Sequence, residues 1–549
     1  MRNLISALLL LSAATVHAIT LVHDARIITM ETDVRRVEAM VTGEDGRILA
    51  LGDATALRER YPHAESLRLD GKTVLPGLID AHGHLLNLGF ALMSVDLVGA
   101  DSKAEIVQRL QRFATTLPDD AWLTGRGWDQ NRWPDKVFPT TADLDAAFPD
   151  RPVWLERIDG HAGWANSAAL RRVTRVLSGN WQPEGGRIVR DGDGQPTGVF
   201  IDAAAALVDA VMPPPTEALR RRALDLAVNE AARLGLTGVH DAGVSRDTLQ
   251  LFRRMADEQA LPIRVTAMAD GDGEALAWLC ENGPYRHEGG RLQMRAVKLY
   301  VDGALGSRGA ALLRDYSDEA GNRGLLVTPE ARLRAAVAKA VRCRVQANTH
   351  AIGDRGNRLV LDAYEALVPA GGRDDRRFRI EHAQIVADAD IPRFAALGVI
   401  ASMQPIHATS DMPWAQARVG RARLAGAYAW QRFIGSGARL AFGSDFPVEA
   451  VNPFHGLYAA ITRQDADGEL AGGWLPDQRV DRTTALEGFT IDAAYAGFAE
   501  TEVGSLAVGK RADFIVVDAD PYEATPAVLR ATKVVSTYVD GRRVYPATR

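Results

Sequence analysis

The stretch Leu75-Pro-Gly-Leu-Ile-Asp-Ala-His-Gly-His-Leu85 decides how this chain is read. An apolar run ends in a His-X-His pair. Side chains of a strand alternate between its two faces, so a strand here places Asp80, His82 and His84 on one face, with two imidazoles able to reach one metal ion. Taken alone, the pair has a plainer reading, a polar strand end with two unrelated histidines, because short motifs match by chance. The rest of the chain has to decide.

Downstream of this stretch, short β-like runs alternate with helix-like segments, the pattern of a parallel α/β fold. Eight runs stand out: residues 74–82, 236–242, 263–269, 296–301, 345–350, 378–382, 399–404 and 440–445. Helix-like segments such as 219–234 and 329–342 lie between them. Eight β/α units are the count for a closed barrel. The gap between the first and second runs is too long for a plain βα connection. It predicts inserted structure at about 100–215, with a helix over 101–115 and strands at 153–157 and 198–201. The Asp-Gly-Asp-Gly piece after Arg190 reads as a hairpin turn. It is not a calcium loop, because Pro196 stands where that loop needs Gly and Asp202 where it needs Glu.

Both ends of the chain are β-rich. Residues 21–28 and 47–52 are strand-like, and the run 504–518 leads into another at 534–545, with Asp540-Gly541 as a hairpin signal. The expected organisation is a small β domain built from 19–73 and 500–549 and a barrel over 74–499. Residues 1–18 read as a signal peptide: Arg2, an apolar run over 4–14, and Val16-His17-Ala18 as a small-X-small cleavage site. The run is shorter than the roughly 20 residues that span a bilayer. An exported protein, periplasmic or secreted, is therefore expected, with no stable membrane insertion once the signal is cut.

The composition is 47% hydrophobic and 24% charged with a net charge of −6, and the basic residues are dispersed, which leaves no footprint for nucleic acid. The two cysteines, Cys280 and Cys343, are too few for a disulfide framework or a cysteine zinc site. Cys343 lies in an apolar run and is expected as a buried core residue. No Gly-X-Ser-X-Gly elbow occurs over 303–309, and no Walker A or dinucleotide fingerprint occurs in the chain.

Barrel enzymes place their active sites at the C-terminal ends of the strands. There the runs carry His82 and His84, Lys298, His350, His382 and Asp445. Five strands thus contribute ligand-type residues able to converge on one point, and the joint signal outweighs each single histidine. Lys298 sits among Ala, Val, Leu and Tyr, where an unpaired ammonium is costly. It either reaches a partner such as Asp302 or loses its proton. A neutral amine can add carbon dioxide, giving a carbamate whose oxygens bridge two metals.

These stretches, together with Asp159-Gly-His-Ala-Gly-Trp-Ala-Asn, Val297-Lys-Leu-Tyr-Val-Asp-Gly-Ala-Leu-Gly-Ser-Arg, Gly443-Ser-Asp-Phe-Pro and Gly504-Ser-Leu-Ala-Val-Gly-Lys-Arg-Ala-Asp-Phe, resemble the amidohydrolase superfamily, and within it the YtcJ-like (amidohydrolase family 3) group. The resemblance implies an α/β fold, a (β/α)8 TIM barrel with a composite β-sandwich domain from both termini. It implies His82 and His84 as ligands of a first metal, Lys298 as a carboxylated lysine, and His350 and His382 as ligands of a second. Asp445 would be both a metal ligand and the catalytic proton shuttle.

The expected function is a metal-dependent hydrolase cleaving a non-peptide C–N (amide-type) bond, such as an N-acyl or N-formyl group, by attack of a metal-bound hydroxide. The expected cofactor is one or two divalent ions, with zinc suiting the donor set and manganese or iron left open. The substrate is a small molecule, and a homodimer is allowed. Substrate contacts are assigned to Asp159, His161, His240, Arg308 and Trp128, with Trp164 beside Trp128. Ordinary core packing competes for the tryptophans, and pairing with Asp302 competes for Arg308. Ester or cyclic amide hydrolysis by the same site, an isomerase on the same fold, and a non-catalytic metal-binding regulatory protein are the alternatives.

Overall fold

Each of the eight runs forms a strand of one parallel sheet: β1 (Leu78–Gly83), β2 (Leu236–Val244), β3 (Arg264–Asp270), β4 (Leu292–Tyr300), β5 (Gln346–Ala351), β6 (Arg379–His382), β7 (Ile400–Met403) and β8 (Leu440–Phe442), paired in that order. A computed structural model describes the chain over residues 18–547, apart from 34, 119–120, 159–161, 184–185, 203 and 368–374. Both faces of the sheet are covered: every residue of β1 and of β6 is buried, the charged and histidine side chains included. The sheet is a nearly closed (β/α)8 barrel.

Between β8 and β1 no ladder forms, and the seam is held by fewer bonds. Asp445 N donates to His82 O at 2.7 Å and His84 N to Phe446 O at 2.9 Å, beside a single parallel bridge between Gly83 and Phe446. The buried Asp80 carboxylate adds to this by accepting from Ser444 Oγ at 2.6 Å and Ser444 N at 3.1 Å. Two glycines let the strands come this close. A Cβ on Gly83 would lie 2.4 Å from the Phe446 ring, and one on Gly443 would lie 2.6 Å from Asp80 Oδ1.

Strand ends differ from the sequence reading by three residues or more in three places. Residues 74–76 leave the barrel: Val74 and Leu75 pair with Val516 and Ile515 as the end of a strand, Glu65–Pro76, in the terminal sheet. β4 starts earlier than expected, at Leu292, since Leu292–Met294 find partners in β3. β8 stops at Phe442, because Gly443–Asp445 turn away to make the seam bonds.

Strands from both ends of the chain join one eight-stranded hydrogen-bonded sheet. Phe514–Val517 pairs antiparallel with Glu65–Pro76, which pairs parallel with Thr20–Ile28. Its core includes Val22, Met40, Val74 and Val516, with the Phe514 and Tyr538 rings stacked at 4.3 Å. Arg264, at the start of β3, pairs with Asp513 at 2.7 Å and Asp540 at 2.6 Å, which ties this sheet to the underside of the barrel.

Residues 85–227 make a separate compact unit. It holds a six-stranded sheet, ordered Gly186–Arg190, Pro196–Asp202, Ala162–Ala165, Val153–Arg157, Leu123–Trp128 and Val95–Asp96, and a helix, Lys103–Ala114, capped by Ser102. The first two strands are a hairpin. In its turn Asp191 Oδ1 accepts from Asp193 N at 3.0 Å and Gln195 N at 2.9 Å. Among the described residues, no helix is long and apolar enough to cross a membrane. The proposed signal segment falls outside the described residues, except for Ala18.

The expectation for Cys343 is corrected. It is half-buried and joined to Cys280 in a disulfide. Helices Glu274–Asn282 and Glu330–Arg342 both pack on β4, and this brings the two Cα atoms to 4.9 Å. The loop closed spans 63 residues, for which the chain-entropy account gives about 4 kcal/mol. Unreduced, denatured protein is expected to show no free thiol by Ellman titration. The Cys280→Ser/Cys343→Ser double variant is expected to unfold at a lower denaturant midpoint. Two titratable thiols would refute the bridge.

Candidate metal centre

Asp445 is the point on which the strand ends converge. It is only 8% exposed and holds a left-handed backbone, φ 61°. His84 Nε2 lies 2.9 Å from its Oδ1, His82 Nε2 3.5 Å from the same oxygen, and His407 Nε2 3.1 Å from Oδ2. Lys298 Nζ is 3.0 Å from His82 Nε2. His382 packs against His82, His350 and His407 at ring-centroid distances of 5.0, 4.6 and 6.0 Å. His382 also has a positive φ, 77°. Two non-glycine residues in this region cost on the order of 1–3 kcal/mol each, a strain concentrated where the chain turns side chains into the barrel mouth.

Four of these rings have Nδ1 fixed by an acceptor. His82 Nδ1 meets Glu381 Oε2 at 2.5 Å, His84 Nδ1 the Ala242 carbonyl at 2.9 Å, His382 Nδ1 Gln404 Oε1 at 2.8 Å, and His407 Nδ1 Glu449 Oε1 at 3.2 Å. Such partners set the tautomer and leave Nε2 for a ligand role. For His84 and His407, however, Nε2 faces the Asp445 carboxylate, which can only accept. A neutral imidazole has one N–H, so each of these rings needs a second proton or a cation between it and Asp445.

The electrostatics agree with that count. Burial opposes charge on His84 and His407, yet the bonds to Asp445, and for His407 also Glu449, raise both above the usual imidazole range. Burial likewise opposes the Asp445 carboxylate, but His407 and His84 hold it well below its ordinary range. Burial and then Lys298 push His82 down to about 4 and His350 to about 3, and burial takes His382 well below its ordinary value. These three are neutral at pH 7 with a lone pair to donate. Burial also lowers Lys298, which is 2% exposed.

A buried charge network supports the ring of His82. Arg379 is fully buried and donates to Glu381 Oε2 at 3.1 Å, Ala81 O at 2.5 Å and Ser402 Oγ at 2.7 Å, and its Nη1 meets His240 Nδ1 at 2.9 Å. Its Nε also sits 2.8 Å from Glu381 Oε1, an ion pair by distance whose angle is too bent for a hydrogen bond. Arg379 and its neighbours hold Glu381 ionised against burial, well below the usual range.

The structure brings together His82, His84, Lys298, His350, His382 and Asp445. The tentative substrate contacts fare differently. His240 does not face the mouth. It is 3% exposed, bonded to Arg379, and burial and then Arg379 push it down to about 3. Arg308 does not pair with Asp302. It pairs with Asp318 at 2.8 Å, while Asp302 accepts from the backbone of Ala311, Ile352 and Gly353. Lys298 likewise turns to His82 instead of Asp302. Trp128 is fully buried in the core of residues 85–227, donating to Leu155 O, with Trp164 packed edge-on at 6.1 Å; packing explains both. Asp159 and His161 lie outside the described residues.

Sequence reasoning missed His407, Glu449, Gln404, Glu381 and Arg379. His407 escapes because it lies in a short helix, Pro405–Asp411, beyond the end of β7. Glu381 and Arg379 carried a readable signal: two opposite charges two apart in an apolar parallel strand have to meet inside the barrel.

These residues suit a divalent cation. His82, His84 and Asp445 place ligand atoms within 4.8 Å of one another, and so do His382, His407 and Asp445. His350 Nε2 is buried and makes no hydrogen bond, with the Asp302 carboxylate 3.7 Å away. Nitrogen and carboxylate donors of this kind match zinc and other first-row divalent ions. Arg379→Leu would strand the Glu381 charge in the barrel, at an expected cost of about 3–5 kcal/mol, read as a lower urea midpoint with an unchanged slope. A shift below about 1 kcal/mol would show that the network does not sustain the site.

The sequence and fold have relatives. Residues 68–545 match the amidohydrolase family. The Bacillus subtilis protein YtcJ is 33% identical over 95% of this chain and 98% of its own length. An N-substituted formamide deformylase of Arthrobacter pascens is 31% identical over 95% of this chain and 98% of its own. The crystal structure of a metal-dependent hydrolase from Pyrococcus horikoshii superposes with a TM-score of 0.78 at 29% identity, covering 93% of this chain and 99% of that one. With a family match across most of its length and relatives of this closeness, the chain belongs to the amidohydrolase family of metal-dependent hydrolases.

Proposed function

We propose that this amidohydrolase cleaves an amide-type C–N bond outside peptide chains, with N-formyl and N-acyl amines as its substrate class. One observation carries the reading: a single buried carboxylate, Asp445, faces His82 and His84, at the end of β1, on one oxygen and His407 on the other. The relative named as a formamide deformylase supports the choice of bond. Export is part of the proposal, supported by the Cys280–Cys343 bridge, since such bonds persist in oxidising compartments.

His82, His84 and Asp445 would hold one ion, and Lys298, His350 and His382 would serve a second, with zinc the ion this donor set suits best. A bound divalent ion supplies a Lewis acid that polarises a carbonyl and lowers the pKa of water. The protein's own groups then do the positioning and proton handling. Asp445 accepts a proton from the attacking water and delivers it to the departing nitrogen, a general base and then a general acid. Its neighbours His84 and His407 favour the ionised carboxylate, which keeps it ready to accept. Glu381, anchored by Arg379, holds His82 with Nε2 turned to the centre. The Lys298 amine, buried and shifted toward neutrality, is disposed to add carbon dioxide with loss of one proton, and the carbamate so formed has two anionic oxygens.

Elemental analysis of protein purified without chelator is expected to find one to two divalent ions per chain. Asp445→Asn should retain metal on the histidines while turnover falls by about 100-fold or more. Hydrolysis is to be screened on N-substituted formamides, N-acyl amino acids and dipeptides. Metal-free protein would defeat the metal-dependent reading for this chain, and a preference for dipeptides would replace the non-peptide assignment.

A further inference from the structure

We infer that His407, oriented by Glu449, is a cation ligand that completes a second binding position with His382 beside Asp445. This rests on the reading above that the centre holds metal, and extends it to residues which the strand-end pattern does not reach.

The geometry divides into two halves around one carboxylate. On the Oδ1 side lie His84 Nε2 at 2.9 Å and His82 Nε2 at 3.5 Å; on the Oδ2 side lies His407 Nε2 at 3.1 Å. Ligand atoms of His382, His407 and Asp445 fall within 4.8 Å of one another, as do those of His82, His84 and Asp445. All three residues of the second group are buried, at 4%, 8% and 8% exposure.

The donor count at His407 points the same way. Its two ring nitrogens face two carboxylates, Glu449 and Asp445, and neither can donate when ionised. One N–H satisfies Glu449. The other nitrogen then meets Asp445 lone pair to lone pair unless a positive charge lies between them. Glu449 is itself braced by Ser410 Oγ at 2.6 Å, so the imidazole is held by a fixed carboxylate, as His82 is by Glu381. His382 shows the same arrangement with Gln404. A carboxylate or amide acceptor on the far ring nitrogen is the usual support of a metal-ligating histidine. His350, with a ring centroid 4.6 Å from His382 and no hydrogen bond at Nε2, is placed to join the same ion.

The competing account is a His407 imidazolium that merely bridges Glu449 and Asp445. Cobalt(II) titration of metal-stripped protein separates the two, with stoichiometry read by elemental analysis after dialysis and site formation read from the visible cobalt absorption. Wild type is expected to take up two ions. His407→Gln should keep one at wild-type affinity and bind the other at least about 100-fold more weakly. Glu449→Gln, a milder change that keeps both ligands, should weaken only the second ion, by about 10- to 100-fold. Two ions bound with unchanged affinity in both variants would overturn the assignment of His407. So would a single ion in wild type, while the metal-dependent reading stood. No ion in wild type would overturn both.

Discussion

An ionised carboxylate buried at the mouth of an apolar barrel has to be matched by positive charge or by donors. Asp445 sets that requirement here, and the surrounding side chains answer it. Five imidazoles and the Lys298 amine gather around it, most with one ring nitrogen already committed to an outer acceptor. Burial makes the arrangement possible by keeping His82, His350 and His382 neutral, so that they present lone pairs and do not add like charges to a crowded site.

The same carboxylate depends on the weakest part of the barrel. β8 and β1 are joined by backbone bonds around Asp445 and His84 and by Asp80 gripping Ser444. Burial drives Asp80 up to about 7 even though Ser444 and His82 donate to it. The seam, the positive φ of Asp445 and the approach of Gly83 to Phe446 are therefore one structural fact. Strand closure and the placement of Asp445 beside His82 and His84 are carried by the same few residues.

Beneath the centre, Arg379 and Glu381 form a buried ion pair with Ala81, Ser402, His240 and His82 as further partners. Ion pairs of this kind are a poor source of stability compared with apolar packing. What this one supplies is direction: it fixes the Nδ1 side of His82. His240, read from the sequence as facing a substrate, serves this network from below, and Arg308 and Trp128 are likewise absorbed by local pairing and packing.

The chain's order of residues was enough to determine the barrel, the β-rich pairing of its two ends and most of the residues gathered at the barrel mouth. Buried parallel strands read as largely apolar runs, and polar residues clustered at their C-terminal ends point to a shared mouth. Only the folded chain decided the rest. Cys280 and Cys343 meet because two helices pack on one strand. His407 meets Asp445 because a short helix after β7 lies over the mouth, and a helix of seven residues is too short for its facing to be read from periodicity. Periodicity tells which way a side chain leaves the backbone; which partner it finds across the barrel is settled by packing alone.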